Sequence, residues 1–233
     1  GGNYTRMLYW YAMGYDWRKG KITSLHLYDK LTVNARKYKW SHAVHEFAVL
    51  KDGSPNVDYT MPDKTILVYH HQTESGNREQ YLKLLRLRVE EEPKDIYAYS
   101  FLLYELWKRE EYAEIINLIT NKMLPLFYEK GSTLSEGHWN VMYAFAQEYL
   151  GKCYKQLGYD KFAEESFKAA IDNDKSLINS YVELGKMYLA QNRDEECTEI
   201  LLKGLQNCKA TFSWYDSGSW SEEIFDLLCL AFN

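Results

Sequence analysis

No stretch of this 233-residue chain is uncharged for long. The longest run without Asp, Glu, Lys or Arg covers residues 137–147, 11 positions, too short for a helix that crosses a bilayer. There is no cationic excess either. Lys and Arg number 28 against 33 Asp and Glu, a formal net charge of −5, which excludes a chain dominated by a nucleic-acid-binding surface. The four cysteines, Cys153, Cys197, Cys208 and Cys229, show no C-x-x-C spacing. Buried thiols are therefore expected in place of a zinc site or a disulfide framework, and a cytoplasmic location with them. No charged-then-apolar leader opens the chain, which agrees with that location. A Gly-rich phosphate loop, G-x-S-x-G and H-E-x-x-H are all missing. Asp172-Asn173-Asp174 has the letters of a D-x-D metal and nucleotide motif. It falls where one helical pattern runs into the next, not after a buried strand, and reads as a solvated helix end.

What is present has two textures. Aromatic residues make up 16% of the chain, and residues 4–17 alone hold Tyr4, Tyr9, Trp10, Tyr11, Tyr15 and Trp17. Residues 22–28, 43–50 and 65–69 read as short extended pieces rich in β-branched and aromatic residues, with the turn chemistry of Lys51-Asp52-Gly53-Ser54-Pro55 between them. After Gly76 the pattern becomes helical. Residues 78–92 set Tyr81, Leu82, Leu84, Leu85, Leu87 and Val89 among charges, and Pro93 ends the run. The fold expected is mainly α, with a small α+β segment at 1–75 and helical repeats at 76–233. The boundary falls within 71–77.

The helical part repeats. Leu150-Gly151-x-x-Tyr154 is answered by Leu184-Gly185-x-x-Tyr188, and Ala163, Phe167 and Ala170 by Cys197, Leu201 and Gly204, each 34 residues on. A small residue on the first helix lets the second approach, and the bulky ones fill the groove against the next pair. This period and pattern resemble the tetratricopeptide repeat and imply an α-solenoid. A degenerate unit precedes them, with Leu102-Leu103-x-x-Leu106 and then residues 111–116. Its distance of 48 to the next unit requires a longer helix or loop around 125–140. Ser219-x-x-Glu222 reads as a capping box opening a last helix, which either closes the array or begins another repeat.

Five of the six histidines, His26, His42, His45, His70 and His71, lie in the first part. Neighbours on a strand point to opposite faces, so only one of His45 and Glu46, and one of His70 and His71, can face a given cleft. Each also suits the plainer role of a polar residue at a strand end. Trp40 and the aromatics at 9–11 suit core packing.

Residues 28–46 (YDKLTVNARKYKWSHAVHE), then Val68-Tyr69-His70, then 78–93 (REQYLKLLRLRVEEEP), then the repeats, come in a recognisable order. They resemble the C-terminal part of family-2 glycosyltransferases that carry a tetratricopeptide tail, over roughly residues 21–205. The resemblance implies the acceptor-side end of a GT-A core. In that family a D-x-D in the nucleotide-binding half holds a divalent metal, Mn²⁺ or Mg²⁺, on the sugar nucleotide. This chain has no counterpart, and Lys30 stands where the family carries arginine. The chain by itself is then expected to hold no cofactor and to transfer no sugar. By the same resemblance Glu46 is the candidate general base, His70 the candidate metal or diphosphate contact with His45 as rival on the substrate side, and Trp40 a surface for a sugar face. The partners implied are a glycan or peptide acceptor, with no nucleic acid and no membrane span. A non-catalytic repeat module that binds a protein partner, or associates with itself, is the alternative.

Overall fold

The computed structural model describes residues 6–16, 21–32, 35–41, 47–60, 67–69, 78–128, 136–207 and 222–231. Most of these lie in helices, with a small set of strands ahead of them. The chain divides into two compact units, Gly1–Glu91 and Glu92–Asn233. That division and the compositional boundary at 71–77 differ by one helix, which clusters with the strands.

In the first unit the aromatic run at the start is a strand, β1 (Arg6–Asp16), antiparallel to β2 (Lys21–Thr32). The other edge of β1 carries two short parallel partners. β5 (Asp58–Thr60) lies beside Arg6 to Leu8, and β6 (Leu67–Tyr69) beside Trp10 to Ala12. The aromatic run of β1 has the β-propensity that a strand at the centre of this sheet needs. A 3₁₀ turn (Ala35–Lys37) leads into a separate hairpin of β3 (Tyr38–Ser41) and β4 (Phe47–Leu50), and β4 lies against β2. Helix α1 (Arg78–Glu91) ends the unit and buries Leu82, Leu85 and Arg88 along one stripe.

The second unit comprises α2 (Ile96–Trp107), α3 (Tyr112–Leu118), which continues through a π-helical turn (Ile119–Met123) into α4 (Leu124–Tyr128), α5 (Glu136–Gln156), α6 (Asp160–Asn173), α7 (Ile178–Ala190), α8 (Asp194–Asn207) and α9 (Glu222–Ala231). Helix α6 and helix α8 begin and end 34 residues apart, and so do the ends of α5 and α7. Helix α5, at 21 residues against 13 for α7, takes up part of the extra length expected before Gly151.

The packing repeats with the boundaries. A Cβ built on Gly151 would stand 2.7 Å from two ring carbons of Phe167, and one on Gly185 would stand 2.7 Å from Cδ2 of Leu201. Each first helix thus meets its second helix at a glycine, against a fully buried side chain. The turns repeat as well. Glu110, Gly158 and Asn192 have φ of 60°, 77° and 57°. In each case the next residue's N–H donates back to a helical carbonyl: Glu111 to Leu106 at 3.1 Å, Tyr159 to Tyr154 at 2.8 Å, Arg193 to Tyr188 at 2.9 Å. These are Schellman-type helix ends, and their spacing of 48 and then 34 is that of the sequence units. The degenerate unit shares a further device. The hydroxyl of Tyr99 donates to the Pro93 carbonyl at 3.0 Å, and that of Tyr181 to the Lys175 carbonyl at 3.2 Å, both six residues back.

Helix α9 packs on α7 and α8 through Ile224, Leu227 and Leu228, extending the core cluster that holds Phe167, Tyr181 and Leu201. Among the described residues no helix is long and apolar enough to cross a membrane.

Candidate functional site

Of the residues singled out in the sequence, Trp40 lies within the described part and Glu46, His45 and His70 lie outside it. Trp40 is on β3, two residues from Tyr38 and therefore on the same face. Tyr38 pairs with Leu50, which is buried, and is itself half-buried, whereas Trp40 is 60% exposed. The face is thus anchored at the base of the hairpin and open toward Trp40. Core packing, the plainer role considered for this indole, does not describe it.

Backbone hydrogen bonds shape the base. The Lys51 N–H donates to the Lys37 carbonyl at 2.9 Å, and the Gly53 N–H to the Leu50 carbonyl at 3.1 Å. Gly53 has φ of 78°, a conformation that favours glycine. Asp52 Oδ1 accepts from the Ser54 hydroxyl at 2.6 Å and from its N–H at 2.9 Å. Those bonds hold the exposed Asp52 carboxyl below its ordinary range. Arg36, Lys37, Lys39 and Lys51 are all exposed around this turn.

The second unit carries its charges in networks. Lys155 on α5 donates to Glu183 on α7 at 2.8 Å, and Lys186 donates to the same carboxylate at 3.1 Å. Burial alone raises the Glu183 carboxyl, but the hydrogen bonds and charges of the two lysines outweigh it and leave the group lowered. Glu164 on α6 accepts from Arg193 at 2.9 Å, from Lys168 at 2.6 Å and from the Tyr188 hydroxyl at 3.0 Å. Led by Arg193, these partners pull its carboxyl down to about 2. The Arg193 guanidinium also stacks over the Tyr188 ring at 4.1 Å and bonds Glu196 on α8. This network joins α6, α7 and α8, and its charges are matched to one another. Such carboxylates stay ionised and engaged, which suits them to holding helices together and not to taking a proton from a substrate. Arg193 was not legible in sequence, because its partner Glu164 lies 29 positions earlier. The i, i+4 spacing of Glu164 and Lys168 and the i, i+3 spacing of Arg193 and Glu196 were its local traces.

Burial pushes the Cys153 thiol up to about 12 and raises that of Cys197, so both are inert side chains of the core. Asp174 of the D-x-D letters spends Oδ1 on the Ser176 N–H and hydroxyl, at 2.9 and 2.6 Å, closing the turn after α6. The helix-end reading describes it. Among the described residues no group of three His, Cys, Asp or Glu side chains could hold a metal ion. The divalent metal implied by resemblance thus finds no ligand set among them, and no chemical step is derived through one.

The chain matches no known protein family, and no curated protein matches it.

Proposed function

We propose that this chain forms the acceptor-side end of a sugar-nucleotide-dependent glycosyltransferase core, followed by a tetratricopeptide-type solenoid that holds the acceptor or a partner protein. The observation that carries this reading is the mixed sheet with its separate β3–β4 hairpin. It stands ahead of the helical pairs in the order the resembling enzymes follow, and it presents an exposed Trp40 on the strand that leads to His45 and Glu46. A module built of repeats alone has no use for that unit. In this reading Glu46 deprotonates the acceptor hydroxyl as the bond from sugar to phosphate breaks. His45 and Trp40 meet the substrate. His70, next in sequence after β6, would meet the diphosphate, whose charge a divalent metal held by a nucleotide-binding half would offset. A cytoplasmic location belongs to the same proposal.

The test is sugar-nucleotide hydrolysis with Mn²⁺ by the full-length protein, wild type against Glu46→Gln, with circular dichroism as the folding control. Loss of turnover in a folded variant supports the reading, and unchanged turnover removes Glu46 from the mechanism.

A second reading, a non-catalytic tetratricopeptide module for protein partners or self-association, is favoured by the helix ends and glycine contacts that recur at 34 residues. Sugar-nucleotide turnover by the full-length protein separates the two.

A further inference from the structure

We infer that the ledge where α4 meets the start of α5 binds a neutral oligosaccharide, one ring of which stacks on Tyr128 and hydrogen-bonds the hydroxyls of Tyr128 and Tyr143. The inference rests on the transferase reading for its role alone, since that reading gives the solenoid an acceptor to hold. The site itself is read from the helical unit.

The ledge stands outside the repeat. Helices α5 and α7 end 34 residues apart, but α5 begins at Glu136 and α7 at Ile178, so residues 136–143 have no counterpart in α7. This extension meets α4 through aromatic rings. Phe127, which is buried, lies edge-on to Trp139 at 5.4 Å and to Tyr143 at 5.3 Å. The Trp139 and Tyr143 rings stack within 3° of parallel at 5.1 Å, and the indole N–H donates to the Phe127 carbonyl at 3.0 Å. These contacts fix a framework that leaves the ring of Tyr128 unused. Tyr128 is 69% exposed, more than any other aromatic side chain among the described residues, and it meets the framework by its tip, where its hydroxyl lies 3.4 Å from that of Tyr143.

The chemistry of the ledge selects its ligand. Residues 124–128 and 137–147, the latter the longest charge-free run of the chain, hold no Asp, Glu, Lys or Arg. These two segments therefore offer no counter-charge to a phosphate or a carboxylate. A full hydroxyl–hydroxyl bond spans about 2.5–3.0 Å, so at 3.4 Å neither tyrosine saturates the other and a ligand hydroxyl can bridge them. Each phenol hydroxyl carries one proton and also accepts. With a proton shared between them, the pair accepts more bonds than it donates, and the ligand that completes it must bring donors beside an apolar face. A pyranose brings both, because its axial C–H groups stack on an exposed ring while its hydroxyls donate and accept at the rim. A proline-rich peptide brings apolar rings without donors, since proline has no N–H. The indole N–H that would serve its carbonyls is already spent on Phe127.

The experiment titrates the intact chain by saturation-transfer NMR with cellotriose, mannotriose and galactotriose, and with trigalacturonate and a proline-rich decapeptide, at low and at high salt. At least one neutral trisaccharide should bind, with the Kd of about 1 mM that one stacked ring and a few hydrogen bonds provide, and salt should leave that affinity unchanged. Tyr128→Ala should weaken it about tenfold. Tyr128→Phe and Tyr143→Phe keep the rings and remove one hydroxyl each, and each should weaken it about threefold. Tyr159→Ala, which removes a 55% exposed ring elsewhere on the unit, should change nothing, with circular dichroism as the folding control throughout. The inference is overturned if no neutral trisaccharide binds below about 10 mM. It is equally overturned by Tyr128→Ala, or Tyr128→Phe and Tyr143→Phe together, without effect, or by trigalacturonate or the peptide binding more tightly than every neutral saccharide. Sugar-nucleotide turnover in the full-length protein without saccharide binding on this ledge overturns this inference alone. Binding without turnover overturns the transferase reading and leaves a saccharide-binding solenoid.

Discussion

Alanine at Gly151 has two opposing effects, and the structure decides between them. On helical propensity alone, glycine to alanine inside a helix gains about 1 kcal/mol. At this position the added Cβ would stand 2.7 Å from Cδ1 and Cε1 and 2.9 Å from Cζ of Phe167, a ring that is fully buried. A rigid ring in a packed core cannot retreat without shifting α6 from α5, and such overpacking costs about 1–3 kcal/mol. The expected net effect is a loss of about 1 kcal/mol and at most about 2, opposite in sign to the propensity gain. Urea unfolding followed by far-ultraviolet circular dichroism measures it as a lower midpoint at unchanged slope. The second repeat supplies the internal control, since Gly185 faces the flexible end of Leu201. Phe167→Leu in the Gly151→Ala background should therefore recover part of the loss, and the double variant should be more stable than the sum of the singles by about 1 kcal/mol. If Gly151→Ala raises the midpoint, close approach is not what holds these helices together.

Two further outcomes follow from the turns and the charges. Glu110 sits in the left-handed region at φ 60°, where its repeat counterpart is Gly158, so Glu110→Gly should stabilise the chain by about 0.5–1 kcal/mol. A lower melting temperature in that variant would refute the strain. Glu164 has its carboxyl pulled from the ordinary 4.5 to about 2. A depressed acid contributes its full stability above the unfolded value and loses it as pH falls through the folded one, so this contribution fades between about pH 4.5 and 2. Glu164→Gln should flatten the stability profile across that window. A profile of unchanged steepness would show that the Arg193 network does not act in solution.

Periodic features of this molecule were legible from the chain alone. The 34-residue offset marked the close approach at Gly151 and Gly185, the buried Ala163, Phe167 and Ala170 with their counterparts, and the extra length of helix or loop ahead of Gly151. Phe167 and Leu201, however, meet the glycine of their own pair where the groove against the next pair was expected. A repeat writes each contact twice at one spacing, and packing one helix on another sets a small residue against a larger one each time. Strands β2, β4 and β6 were legible for their β-branched and aromatic content, whereas β1, whose partners β5 and β6 lie about fifty residues on, was not read as a strand. Only the tertiary structure decided the rest. Positive φ at Glu110 leaves no compositional mark, unlike that at Gly158 and Asn192, residues that favour it. The Tyr99 and Tyr181 hydroxyls find their carbonyls only once the preceding turn is formed, and Arg193 meets Glu164 only when the second pair stacks on the first. Lys37 and Lys51 become neighbours in the same way, because hydrogen bonds across a ladder, not distance along the chain, bring their backbones together.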